Sequence, residues 1–305
     1  MWTKIREILK GNKIGEEVNI RGWIYRKRSS GGIIFILVRD STGVIQATIK
    51  KGDIPEEEFE NAERALIESS IKIRGIVKED KRAPGGYEIK VNKFEVVNFA
   101  EPFPITEDHS EEFLLDVRHL WLRSRKLTEV MKLKAKVLRL IREWFDENDF
   151  YEVTPSVITL NAAEGGATVF SFDYFGQKAF LSQTAQMYLE ALIFSLERVW
   201  SLTPSFRAEK SRTRKHLTEY WHLEAEEAWV DNEGNMKIQE ELVSYVCQNI
   251  AKVAKDELEY LGRDVEDLKI IEPPFKRIKY KDAIKKLQDK GFDIEWGDDF
   301  GAPHE

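Results

Sequence analysis

The sequence predicts an α+β protein in two parts, a five-stranded barrel followed by an antiparallel sheet with flanking helices. Three observations carry this. Residues 18–99 alternate apolar and polar side chains in short runs broken by turn residues, with one charged helical stretch among them. The segment AEPFPITEDHSEE, residues 100–112, concentrates proline with acidic and polar residues as a connector does. Beyond it, strand and helix patterns alternate, and two strand patterns joined by one short loop favour antiparallel pairing. The boundaries read as a barrel over 1–100, a linker over 101–115 and a second domain over 116–305.

In the first part, VNIRGWIYRKR, IIFILVRD and VIQATIK supply three strands, a charged helix follows near Pro55 to Ser69, and IKIRGIVKE and YEIKVNKFEVVNF complete the five. DSTG and APGG supply turns. A partly open barrel of this kind is the oligonucleotide-binding (OB-fold) architecture, whose central strands present a face to single-stranded nucleic acid. In the second part, Val130, Leu133, Val137, Ile141 and Trp144 lie on one face of a helix spanning Leu127 to Asn148. Strands follow in FSFDYFGQKAFLS, then a helix from Ala185 to Leu196. Strands around Val199 to Glu209 and Glu219 to Trp229 precede a helix from about Met236 to Leu258.

Composition narrows the function. The chain has 305 residues, 42% of them hydrophobic, enough for a sizeable core. Its net charge of -7 argues against bulk nucleic-acid binding, yet residues 1–100 carry 19 Lys and Arg against 15 Asp and Glu, so the barrel is the better polyanion reader. A single cysteine, Cys247, permits no intrachain disulfide and suits a reducing compartment. No run approaches the ~20 apolar residues of a membrane span, and the N-terminus lacks the features of a signal peptide, so the expectation is a cytoplasmic protein without a membrane partner.

The densest chemistry is FRAEKSRTRKHLTEYWHLEAE, Phe206 to Glu226. Strand alternation puts Arg207 and Glu209 on one side, and Tyr220, His222, Glu224 and Glu226 on the face opposite Trp221, Leu223 and Ala225. A hairpin with a solvated polar face would explain the alternation alone. The loop KSRTRKHL, with four Lys or Arg and one His in eight residues, points instead to a nucleoside triphosphate and its magnesium.

This stretch resembles motif 2 of the class II aminoacyl-tRNA synthetases. Upstream, DFYEVTPSV looks like motif 1 with Pro155 at a homodimer interface, while AEGGAT and LSQTAQMYLEA resemble the amino-acid pocket of the aspartate/asparagine/lysine subgroup. The barrel is similar to that subgroup's anticodon-binding domain. The resemblance implies ATP-dependent activation of an amino acid as its adenylate, then transfer to tRNA. By it, Arg207 is the clamp on α-phosphate and carboxylate, and Glu209 holds the adenine amino group or an ion-bound water. Ala208, Lys215, His216 and Leu217 meet ATP, with His216 near the terminal phosphate and Tyr220 stacking on adenine. Arg207, Glu209 and His216 form the catalytic set. Glu164 partners the α-ammonium group, and Gln183, Gln186, Met187, Tyr188 and Leu189 form the pocket. Phe35, Gln46 and Arg28 read the anticodon, with Arg26 and Lys27 near the RNA backbone and Arg212 and Arg214 toward the tRNA end. From its apolar run IIFILV alone, Phe35 reads as a core side chain. ATP and Mg2+ are the implied cofactors; the magnesium ligands are not identified.

Leu189 stands where aspartyl members of the subgroup carry a lysine for the substrate carboxylate. A buried carboxylate without a cation is costly, whereas an amide needs only hydrogen bonds, so the expected substrate is asparagine. The alternatives are an aspartyl enzyme, non-discriminating in one form, or a non-catalytic RNA-binding and dimerising fragment. The last arises because no glycine-rich motif 3 with its arginine occurs before Glu305; the preferred explanation is that the sequence is the front part of a longer protein.

Overall fold

The computed structural model describes residues 1–106, 109–161, 168–209, 217–301 and 303–304. It divides into two units, Met1–Trp121 and Leu122–Glu305.

The first unit opens with a short helix, α1 (Ile5–Leu9), and continues through β1 (Glu17–Ser30), β2 (Ile33–Asp40), β3 (Gly43–Lys50), α2 (Glu56–Arg64), β4 (Ser70–Glu79) and β5 (Tyr87–Asn98). The strands close a barrel in the order β1-β2-β3-β5-β4, with β3 and β5 parallel and the other pairs antiparallel. Strand alternation explains the filling. Even in the continuous apolar run of β2, Ile34, Ile36 and Val38 are fully buried while Ile33, Phe35 and Leu37 turn outward and are only half-buried. The core reading of Phe35 is therefore corrected: period-two geometry overrides an apolar run.

The DSTG turn closes on Asp40, whose Oδ1 accepts from the Thr42 N–H at 2.6 Å and the Gly43 N–H at 3.1 Å. Its Oδ2 accepts from the Ile5 N–H at 3.1 Å, satisfying a donor at the start of α1, a helix that residue patterning did not predict. Gly75 marks a close approach: a Cβ there would lie 2.3 Å from the Lys90 carbonyl oxygen of β5, so the strands can meet only without a side chain. The unit ends in α3 (Glu111–Asp116) and α4 (Arg118–Trp121).

The second unit begins with α5 (Arg125–Glu147), followed by β6 (Tyr151–Glu152), β7 (Ile158–Thr159), β8 (Ser171–Tyr174), β9 (Gln177–Leu181) and α6 (Gln186–Leu196). The hairpin β10 (Arg198–Phe206) and β11 (Glu219–Glu227) comes next, then α7 (Asn232–Val253), α8 (Lys255–Tyr260), α9 (Glu266–Lys269) and α10 (Tyr280–Asp289). β11, β10 and β6 form one sheet in that order, and β7, β9 and β8 another. The hairpin is antiparallel as expected, but β6 runs parallel to β10, because the connection through α6 returns the chain to the same end of the sheet.

The helix predicted up to Leu258 starts one turn earlier than expected, where Asp231 accepts from the Gly234 N–H at 2.9 Å, and breaks at Ala254 into α7 and α8. Behind the hairpin, Trp144, Phe145 and Phe150 pack on Trp200 and Leu202; Phe145 stacks on Trp200 with ring centroids 4.4 Å apart. This fixes one face of the hairpin against α5 and leaves the other for chemistry. No helix among the described residues is long and apolar enough to cross a membrane.

Candidate active site

The hairpin register sets Ser201 opposite Glu224, Thr203 opposite His222 and Ser205 opposite Tyr220. These alternate with Trp200, Leu202 and Leu223, which join the aromatic cluster, so the sheet has the polar and apolar faces that the alternation predicts. Along the polar face the side chains touch in sequence. The Arg207 guanidinium lies 5.5 Å from the Tyr220 ring centroid, and the Tyr220 and His222 rings are 5.3 Å apart. His222 Nδ1 lies 3.1 Å from Ser205 Oγ and 3.3 Å from Glu224 Oε2.

Glu224 links the strand to α6. Its carboxylate accepts from the Thr184 hydroxyl and, at 2.8 Å, from the N–H of Ala185, the residue that caps α6. A carboxylate at a helix N-terminus meets unpaired N–H groups and the positive end of the dipole, so β11 seats α6 electrostatically. Leu189 is 1% exposed and packs with Ala185 and Val199, while also lining a cavity of about 620 Å³ with Gln186, Glu224 and Glu226. Leu189 is thus a core side chain that also borders a cavity. Gln186 is exposed and donates to Glu190 at 2.8 Å; Met187 and Tyr188 are exposed and border a recess beside Gln183.

Gln183 is held by one end. Its Nε2 donates to the Thr168 carbonyl at 3.2 Å, the same oxygen that accepts from the Ala208 N–H at 3.0 Å. Its Oε1 is buried and has no hydrogen-bond partner among the described residues. Arg207 extends the hairpin beyond Phe206, its N–H donating to the Thr218 carbonyl at 2.9 Å, and its side chain is exposed. Glu209 and Leu217 are exposed as well. Glu164, Arg212, Arg214, Lys215 and His216 lie outside the described residues.

Burial, then the neighbouring Glu190 charge, pushes the Glu226 carboxyl above its ordinary range; burial does the same for Glu227 against the opposing pull of Arg198. Sequence reasoning gave no role to His222 or Thr184. Thr184 was detectable as a hydroxyl immediately before a helix, but its strand partner was not.

On the barrel, the Arg28 guanidinium sits 4.6 Å from the centroid of Phe35, its partner across β1 and β2. On neighbouring β3 the Gln46 amide and the Thr48 hydroxyl both donate to Glu88 Oε2, at 3.0 and 2.6 Å. Phe35 and Arg28 thus pair on the outer face, while Gln46 on the same side is only 7% exposed and is held with Thr48 by Glu88 of β5, which pattern reading missed. Lys27 is a correction. Its Nζ turns away from this face and donates to the carbonyls of Ala62, at 3.2 Å, Glu63, at 2.7 Å, and Ala65. The C-terminal end of α2 has oxygen atoms to satisfy and a negative dipole end to offset, which takes Lys27 from the RNA.

A nucleic-acid-binding barrel with a polar-faced hairpin is the plan of the class II tRNA synthetases. Residues 110–303 match the family described as tRNA synthetases class II (D, K and N), and residues 18–97 match the OB-fold nucleic acid binding domain. Asparagine–tRNA ligase of Thermococcus kodakarensis is 52% identical over 95% of this chain and 68% of its own length; that of Thermoplasma acidophilum is 48% identical over 99% and 70%. The structure of asparaginyl-tRNA synthetase from Pyrococcus horikoshii complexed with asparaginyl-adenylate has a TM-score of 0.94 and 49% identity, covering 100% of this chain and 71% of that one. The chain belongs to the asparagine–tRNA ligase family.

Proposed function

We propose that the protein ligates asparagine to tRNA in two steps: the asparagine carboxylate attacks the α-phosphorus of ATP and expels pyrophosphate, then the tRNA terminal hydroxyl attacks the adenylate carbonyl and releases AMP. The observation that carries the choice of asparagine is the charge of the pocket. Among the described residues lining the cavity, and among those lining the separate recess beside Gln183, there is no Lys or Arg, whereas Glu224 presents a carboxylate to the cavity beside apolar Leu189. Such a pocket repels a substrate carboxylate and accepts hydrogen bonds from an amide. The unpartnered Gln183 Oε1 offers an acceptor to the amino acid.

Arg207 suits the clamp because its guanidinium stands clear at the end of the hairpin above Tyr220, where it can pair with the carboxylate and the α-phosphate together. The roles of Glu164, Lys215 and His216 in this reading rest on the motif resemblance, as do those of Glu209 and Leu217. Magnesium accompanies ATP in the same reading. Among the described residues no group of three His, Cys, Asp or Glu is gathered to hold an ion. The anticodon falls to Phe35, Arg28 and Gln46, and a homodimer to the segment around Pro155, between β6 and β7.

Amino-acid-dependent ATP–pyrophosphate exchange on the intact gene product tests the proposal. Exchange with asparagine and little with aspartate is expected; a preference for aspartate would defeat the substrate assignment. Arg207→Ala should abolish exchange while tRNA binding, followed by filter retention, persists.

A further inference from the structure

His222 lies on the polar face between Tyr220 and Glu224 and has no task in the proposed reaction. Its Nδ1 is 3.3 Å from Glu224 Oε2 and 3.1 Å from Ser205 Oγ. A bare Nδ1 would set its lone pair against that of the carboxylate, so the hydrogen belongs on Nδ1, shared between the two oxygen atoms. Glu224, already bonded to Thr184 and the Ala185 N–H, then has the imidazole beside it as an ion-pair contact at 3.3 Å. The first two arrive from the start of α6; His222 alone holds the carboxylate from its own strand. Ser205, 1% exposed, backs the imidazole from β10, and the Tyr220 ring flanks it.

Resting on the asparagine reading, we propose that His222 is a positioning residue for amino-acid selection: its Nδ1–H fixes the Glu224 carboxylate so that one acceptor site remains directed at the substrate amide. Without this neighbour the carboxylate is held from the start of α6 alone, by Thr184 and Ala185, and its plane is free to turn the remaining acceptor site away from the cavity. The pocket then loses both its acceptor for asparagine and its repulsion toward aspartate.

Two isosteric substitutions separate this role from packing. His222→Asn places an amide N–H where Nδ1 was, and His222→Gln places it where Nε2 was, beyond reach of Glu224. In asparagine-dependent pyrophosphate exchange on the intact gene product, His222→Gln should raise the KM for asparagine about ten- to a hundredfold, the size expected for losing a hydrogen bond to a charged group. It should narrow the preference for asparagine over aspartate and leave the KM for ATP unchanged, while His222→Asn restores both asparagine parameters. Equal behaviour of the two variants, or an asparagine KM that moves together with that for ATP, overturns the inference and leaves the asparagine reading standing. Absence of asparagine-dependent exchange in the wild type overturns both. Should His222→Gln not fold, Ser205→Ala carries the test: a smaller rise in asparagine KM alone is expected, and a wild-type profile refutes the shared hydrogen bond.

Discussion

Glu226 separates the energetic cost of the site from its chemistry. Its carboxyl is raised by burial and by Glu190, and both disfavour the ionised form. Folded and unfolded chains are equally protonated at low pH, so the penalty is absent there; it develops as pH rises through the ordinary and then the raised value, and stability falls over that interval. Glu226→Gln should accordingly raise Tm at neutral pH and match the wild type at about pH 3.5 in thermal melts. A gain that is the same at both pH values would mean that packing, not charge, limits this position. Much of this face is legible in the residues, because a strict period of two needs only the strand's existence. What stays hidden is the pairing across elements: Thr184 and Glu224 lie 40 positions apart, and only the seating of α6 on β11 brings them together.

At the scale of elements, the five barrel strands and the helix between the third and fourth follow from alternation and turn chemistry, and α5 from its apolar stripe. The misses have a common origin. α1 is five residues long, too short for a periodic signal, and depends on Asp40 from a distant turn. Lys27 reads as one more cation in RKR until the end of α2 is known to lie beside it. Lys27→Met should cost about 1 kcal/mol through the unsatisfied carbonyls and the lost dipole interaction, without weakening RNA binding. Denaturant unfolding and RNA titration measure the two effects separately. Gly75→Ala should be worse, by about 1–3 kcal/mol, since the added methyl meets backbone oxygen, which cannot turn aside as a side chain would. Equilibrium unfolding that leaves Gly75→Ala as stable as the wild type would show that β4 and β5 can separate freely at this point.

For the whole molecule, each hydrophobic cluster among the described residues draws its members from a single unit: the barrel cluster runs from Ile5 to Val96, and the clusters of the second unit begin at Leu133. In the proposed reading adenylate formation uses the second unit's chemistry, and recognition of the tRNA engages the barrel as well. Phe35→Ala should weaken tRNA binding by about 1–3 kcal/mol, the worth of one stacked base, roughly five- to a hundredfold in the KM for tRNA. Asparagine-dependent pyrophosphate exchange in the absence of tRNA should stay at the wild-type rate. Arg207→Ala is the mirror image, losing exchange and keeping the tRNA complex. Steady-state aminoacylation beside exchange, on the same preparations, decides the matter. A Phe35→Ala protein that loses exchange would mean that the two units act as one body, and a Phe35→Ala protein with normal tRNA KM would remove the aromatic from the RNA contact and leave the Arg28 pairing as mere surface packing.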